Sequence, residues 1–300
     1  MLKMPPRSIA IIGAPLCDGE REKGVEKAPD AIRAAGLVTE LNGFANVTDH
    51  GDIDLPPSTS DKISGKLRNA EYVVDFCRKV KDAVNKALNA DEFPVLIGGD
   101  CSIFPGAVAG LSPTFDHPRA LYLDGDADFN TDQTTISGYF SGMALAAAVG
   151  KGYEPLTRVG DRFPIIREED VRMLGLRRSK LEPQESKNLE DSQLKWVTAE
   201  AIQNGAQKAV QTIVDDAKKP TYLHFDLDVI DPCEMPALAG IHAGVHPQGG
   251  LTYEQTNSLL KLLKKVHLIG MEITLYDPTL DQDKKHAQRI VQLIKTVLEP

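Results

Sequence analysis

Asp124, Asp126 and Asp128 alternate along Leu121-Tyr-Leu-Asp-Gly-Asp-Ala-Asp-Phe-Asn130. Side chains two apart on extended chain point the same way, so this stretch can aim three carboxylates at one point. Gathered anions repel one another, and a hard cation held by oxygen ligands resolves that repulsion. Taken alone, the stretch reads as readily as a solvated acidic turn. His224-Phe-Asp-Leu-Asp-Val-Ile-Asp-Pro232 repeats the arrangement, with Asp226 and Asp228 after an apolar entry. Two strand ends that each present alternating aspartates are hard to explain as surface decoration. Gly98-Gly-Asp-Cys-Ser102 adds a thiol at Cys101, and Glu272 a further carboxylate.

The elements that must carry these residues are legible as hydrophobic runs. Ala120 to Leu123 reads as a short buried strand that stops where Gly125 lets the chain turn. Further strands are expected over 8–12, 46–53 (an edge type), 93–97, 171–176, 220–227 and 266–274. Val73, Val74, Phe76, Val80, Val84 and Leu88 recur at helical intervals, which predicts a long helix within 66–89. Shorter helices are expected over 28–36, from Ser141 towards Gly150, and over 199–218, 252–265 and 282–298. Strands alternating with helices imply a mostly parallel α/β sheet covered on both faces, read here as one domain over 1–300. In such sheets ligands bind outside the carboxyl ends of the strands. The segments bearing Cys101, Asp124 to Asp128, Asp226 to Asp231 and Glu272 all fall there. No GxGxxG or P-loop pattern follows any strand, which favours a metal-assisted hydrolytic site over a nucleotide site.

The totals agree with an enzyme-sized globular chain. Of 300 residues, 42% are apolar, enough for a sizeable core. The formal net charge of −9 argues against nucleic acid or an anionic membrane as partner. There is no signal-peptide pattern or membrane-length apolar run, and the dispersed Cys17, Cys77, Cys101 and Cys233 suggest no disulfide framework. A cytoplasmic protein is expected.

With these residues assembled, the chain resembles the ureohydrolase family of arginases, agmatinases, formiminoglutamases and guanidino-acid hydrolases. Ile12-Gly-Ala-Pro15, Gly24-Val25 and Ala28-Pro29 resemble its N-terminal pattern. Gly98 to Ser102 is similar to its Gly-Gly-Asp-His-Ser, and Asp124 to Asp128 to its Asp-x-His-x-Asp. Asp226 to Pro232 resembles its Asp-x-Asp-x-x-Asp-Pro, and Gly249-Gly-Leu251 and Glu272 its last landmarks. The resemblance covers nearly the whole chain. It implies a three-layer α/β/α fold with an eight-stranded parallel sheet and two manganese ions bridged by a hydroxide that attacks a guanidinium or amidine carbon. Carried over, Asp124 and Asp226 bridge the ions, Asp128 and Asp228 each hold one, and Glu272 holds the cationic substrate. The resemblance also implies a homotrimer or homohexamer.

Three of the family's histidines are replaced. Cys101 stands where one binds the first metal, Asp126 where one binds the second, and Ser141 where one shuttles protons. Thiolate prefers softer metals, so zinc or iron stay open beside manganese. Five carboxylates around two divalent ions leave net negative charge, which favours a harder metal, a cationic substrate or a proton retained on one carboxyl, while occupancy by one ion, or by none, stays open as well. Serine cannot relay protons near neutral pH as imidazole can. His242 and His246 in the following loop are candidates to substitute, and His224, on the strand face of Asp226, is placed to reach the metal. Each also reads as a surface or packing histidine. Asn130 and Ser137 match positions that hold the amino-acid end of the substrate in arginases. Arg178-Ser-Lys180 is basic where the resemblance leads to acidic residues, which tilts the expectation from arginine towards a guanidino or formimino acid.

The expected function is a metal-dependent amidinohydrolase releasing urea or formamide from a small guanidino or formimino compound. Its metal ligands are Cys101, Asp124, Asp126, Asp128, Asp226 and Asp228. Its catalytic residues are Glu272, Asp128, Ser141 and His246, with Asn130, Ser137 and Glu272 on the substrate. The alternative is an arginase-like protein that has lost catalysis and serves binding, regulation or assembly. A two-metal phosphoesterase ranks last, because the strand ends are poor in histidine.

Overall fold

In the computed structural model, residues 8–17, 23–55, 63–240, 244 and 248–300 are described. The apolar runs form β1 (Ser8–Ala14), β2 (Asn46–Asp52), β3 (Phe93–Gly98), β4 (Arg119–Leu123), β5 (Val171–Leu176), β6 (Lys195–Thr198), β7 (Thr221–Asp226) and β8 (Leu268–Thr274). They make one eight-stranded sheet in the order β2-β1-β3-β8-β7-β4-β5-β6. Every pairing in it is parallel. A small antiparallel ribbon, Ile63–Ser64 with Leu67–Arg68, stands apart.

Both faces of the sheet are buried, which is why the central strands read as near-continuous apolar runs. Ala10, Ile12, Ala120 and Tyr122 face one apolar layer with the helices Ala70–Asn89, Phe104–Leu111 and Ala144–Ala148. Ile9, Ile11, Leu121 and Leu123 face the other with Ala28–Ala34, Leu37–Asn42, Tyr253–Leu263 and Lys285–Leu298. The result is the three-layer α/β/α architecture expected. The long helix runs over Ala70–Asn89, its buried Val73, Phe76, Val80 and Val84 following the anticipated period. Thr252 opens Tyr253–Leu263 through a capping box with Gln255, each side chain bonding the other's backbone amide.

The sequence order of the strands differs from their spatial order, and that places the chemistry. β3, β8, β7 and β4 are adjacent at the centre of the sheet. Their carboxyl ends therefore bring together segments from residues 101, 275, 226 and 124 onward. β5 sits beside β4 and delivers Arg177 to the same rim.

Candidate metal centre

Each strand end is shaped by local contacts before it meets the others. After β3, the Gly99 amide donates to Ala14 O at 2.8 Å and the Asp100 amide to Leu16 O at 3.0 Å. A side chain at Gly99 would put its Cβ 1.6 Å from the Leu16 carbonyl oxygen, so only glycine allows this approach. Asp100 accepts from the Ser102 amide at 2.9 Å and starts the short helix Cys101–Ile103, which fixes the direction of Cys101. After β4, Asp124 Oδ1 accepts from the Asp126 amide at 2.6 Å. Asp128 then takes a left-handed backbone, φ 49°, a conformation that aspartate tolerates better than most residues. After β7, Asp226 Oδ1 accepts from the Asp228 amide at 2.7 Å.

The cluster that results is largely buried. The Cys101 thiol donates to Asp226 Oδ2 at 2.5 Å, and the Thr274 hydroxyl donates to the same oxygen at 3.1 Å. The Tyr122 hydroxyl donates to Asp128 Oδ2 at 2.6 Å. Asp228 Oδ1 accepts from the Gly125 amide at 2.9 Å, and Oδ2 accepts from Arg177 Nη2 at 2.9 Å. His224 is fully buried beneath, stacked on Tyr122 with ring centroids 4.0 Å apart. Its Nδ1 is 2.5 Å from Glu272 Oε1, and its Nε2 is 3.6 Å from Asp124 Oδ2.

Burial and mutual repulsion govern the charges. Burial first, then Asp228 and Asp226, pushes the Asp124 carboxyl well above the usual range. Burial and Asp124 do the same to Asp128. Burial and Asp228 raise Asp226 to about 7. Burial, then Asp226, drives the Cys101 thiol well above its ordinary value. Burial works against charge on Arg177, but Asp228 and Asp126 outweigh it and keep its guanidinium firmly protonated.

Part of this cluster lines a cavity of about 230 Å³. Cys101, Asp124, Asp126, Asp128, Asp226 and Asp228 all reach it, as do Ser141, Asn130 and Ser137. Asn130 is held by Thr134, whose hydroxyl donates to Asn130 Oδ1 at 2.9 Å. His242 and His246 lie outside the described residues.

Two expectations are corrected. Glu272 does not face a substrate: it has no exposed surface, and its carboxylate is taken up by His224 and by the Tyr222 hydroxyl at 3.2 Å. Strand β8 continues to Thr274, so the residue that emerges into the cavity is Leu275. Arg178 does not make the cavity basic. It pairs with Glu190 and lies over the Trp196 ring, 5.2 Å from its centroid, while Glu182 and Glu185 line the cavity. Glu182, Glu185, Tyr139 and Leu275 carried no signal in the sequence, because only the fold brings the helix Pro183–Glu190 and the loops bearing the other three to the cavity.

Comparison with known proteins places this arrangement. The sequence model of the Arginase family matches residues 7–299. The chain belongs to the arginase family. It is 31% identical to the arginase of Bacillus subtilis (strain 168) over 299 residues, covering 97% of this chain and 98% of that protein. It is 30% identical to the arginase of Staphylococcus aureus (strain COL), covering 97% and 96%. The native structure of Bacillus caldovelox arginase superposes with a TM-score of 0.89 at 29% identity over 99% of each chain. By that kinship the chain is a ureohydrolase-type hydrolase.

The arginase family implies a binuclear metal site, typically of manganese. The donors present suit at least one cation. Ligand atoms of Cys101, Asp124, His224 and Asp226 all lie within 4.8 Å of one another. Asp124 Oδ2 and His224 Nε2 are buried with no hydrogen-bond partner in the structure. Buried polar atoms left unpaired are costly, and a cation between them would satisfy both. Among the described residues, no helix is long and apolar enough to cross a membrane.

Proposed function

We propose that the protein is a metal-dependent amidinohydrolase that cleaves a small cationic guanidino or formimino compound to urea or formamide and an amine. The observation that carries this reading is the convergence of Cys101, Asp124, Asp128 and Asp226 on the floor of a cavity whose wall is acidic. When bound, the metal would acidify a water and hold it beside the electrophilic carbon. Cys101 and the aspartates would hold the metal, manganese by family precedent, with zinc or iron suited to the thiolate. Glu182 and Glu185 supply negative charge for the cationic end of the substrate, and Asn130 and Ser137 offer polar contacts further along the wall. Asp128, bonded to Tyr122 at the cavity, is the group placed to hold a proton for the departing amine. Ser141 lies at the cavity but supplies no imidazole for that task. Assembly as a homotrimer or homohexamer belongs to the same proposal.

A second reading, binding without turnover, is favoured by one observation: the residue that follows β8 into the cavity is the apolar Leu275. One assay separates the two. Protein loaded with manganese and, separately, zinc is offered guanidino amines, guanidino acids and formimino acids, and urea and formamide are measured against a chelated control. Metal-dependent release is expected, with guanidino amines ahead of the acids because the wall is acidic. No release from any of them would leave the second reading in place.

A further inference from the structure

The carboxylates that a second ion would use are already occupied by a cation of the protein's own. Arg177 leaves the end of β5 with its side chain buried, and its Nη2 lies 2.9 Å from Asp228 Oδ2 and 3.5 Å from Asp126 Oδ1. Its Nη1 donates to the Asp228 carbonyl at 2.5 Å, and its own amide donates to Gly125 O at 2.8 Å. Glycine at 125 is what admits it: a Cβ there would lie 2.4 Å from Arg177 Cζ and 2.5 Å from Nη2. The planar guanidinium, always charged, thus fills the space beside Gly125, where its Nη2 hydrogen-bonds Asp228 and makes a looser ion pair with Asp126. A divalent ion placed on Asp126 and Asp228 would sit against that charge.

Among the described residues, the other half of the cluster has no arginine or lysine against its carboxylates. Asp124 Oδ2 and His224 Nε2 are buried, have no hydrogen-bond partner in the structure, and face each other at 3.6 Å. Glu272 fixes the His224 ring from its far side through Nδ1. A carboxylate behind a ligating histidine orients the ring and raises its basicity. Cys101 and Asp226 complete a set of four with sulfur, nitrogen and oxygen donors.

We infer that the centre holds one metal ion, on Cys101, Asp124, His224 and Asp226, and that the Arg177 guanidinium stands in place of the second. The inference rests on reading the cluster as a metal site and sharpens the proposed function by changing its nuclearity. Binding displaces the Cys101 thiol proton, which leaves to solvent, so uptake of the ion is coupled to proton release. The mixed donor set suits zinc, iron or cobalt better than manganese.

The test is a cobalt(II) titration of the full chain, stripped with chelator and desalted, with bound metal counted by elemental analysis. One ion per chain is expected, accompanied by a thiolate-to-cobalt absorption band that Cys101→Ser abolishes. Two ions per chain in the unaltered protein would overturn the inference while leaving the hydrolase reading standing. One ion without release of urea or formamide would sink the hydrolase reading and leave the inference. No ion in a folded protein would end both. Arg177→Gln removes the charge and should raise the count from one to two. Should that variant not fold, Gly125→Ala pushes the guanidinium away and should do the same; a count that stays at one in whichever folds overturns the role given to Arg177. His224→Gln should weaken cobalt binding at least about 10-fold, since loss of an outer-shell partner alone costs that much. Unchanged affinity would remove His224 from the ligand set.

Discussion

Glu272 sits between two donors with no exposed surface, and deleting it leaves His224 and Tyr222 facing empty space. Leaving a buried donor without its partner typically costs about 1–3 kcal/mol. Glu272→Ala should therefore shift the urea unfolding midpoint by a stability loss in that range. A KM increase at unchanged stability would instead put Glu272 on the substrate. The contrast with the aspartates explains what could be read from residue types. Asp124, Asp126 and Asp128 were legible from their type and close spacing, although a turn after β4 and the left-handed backbone at Asp128, not strand alternation, gather them. Glu272 was misplaced because the sequence does not say where a strand crosses the rim. Strands rise by about 3.3 Å per residue, so the three positions from Glu272 to Leu275 separate the core from the cavity by about 10 Å. Arg177 was visible as a landmark, yet its role depends on a glycine in the loop after a different strand.

Among the elements, the loop after β3 is tightly constrained. Gly99→Ala would drive a methyl into the Leu16 carbonyl, so either that loop or the Cys101 helix must move. Overpacking of this kind typically costs about 1–3 kcal/mol. We expect that loss in chemical denaturation, together with weakened metal binding. Gly205→Ala is the control, since its added Cβ meets only Lys208 Cβ at 4.0 Å; a surface change of that kind should stay within about 0.5 kcal/mol. Equal effects of the two would mean that the Gly99 contact is not what holds the loop. Most elements were legible as near-continuous apolar strands buried on both faces or as helices with one apolar face. β6 was not, because it is a four-residue edge strand with no fully buried position. The helix Phe104–Leu111 is buried on every side, so it lacks the apolar stripe that periodicity detects. The helix expected over 199–218 is broken at Asn204-Gly205 into Ala199–Gln203 and Ala206–Ile213, where glycine weakens helix continuation.

For the whole molecule, gathering the acids couples folding to protons and to metal. Without metal, Asp124, Asp128 and Asp226 have carboxyl groups raised above their unfolded values, Asp226 to about 7 from 3.8. The folded chain then binds more protons than the unfolded one, so stability falls as pH rises. The contribution of Asp226 is fully present below its unfolded value and is lost as pH climbs through about 7. Chelated protein should accordingly melt at a lower temperature near neutral pH than in mild acid. Self-repulsion from a formal net charge of −9 acts in the same direction, so the slope alone does not identify its source. Asp226→Asn separates the two, because it removes the raised carboxyl and changes the net charge by only one. The variant's melting temperature should depend less on pH between mild acid and neutrality than that of the unaltered chain. Saturating metal should flatten the dependence as well, because ligands that hold a cation are deprotonated and binding strengthens with pH. If chelated protein gained stability towards neutral pH, the carboxylates would have to be apart without metal, and the cluster would form only on binding.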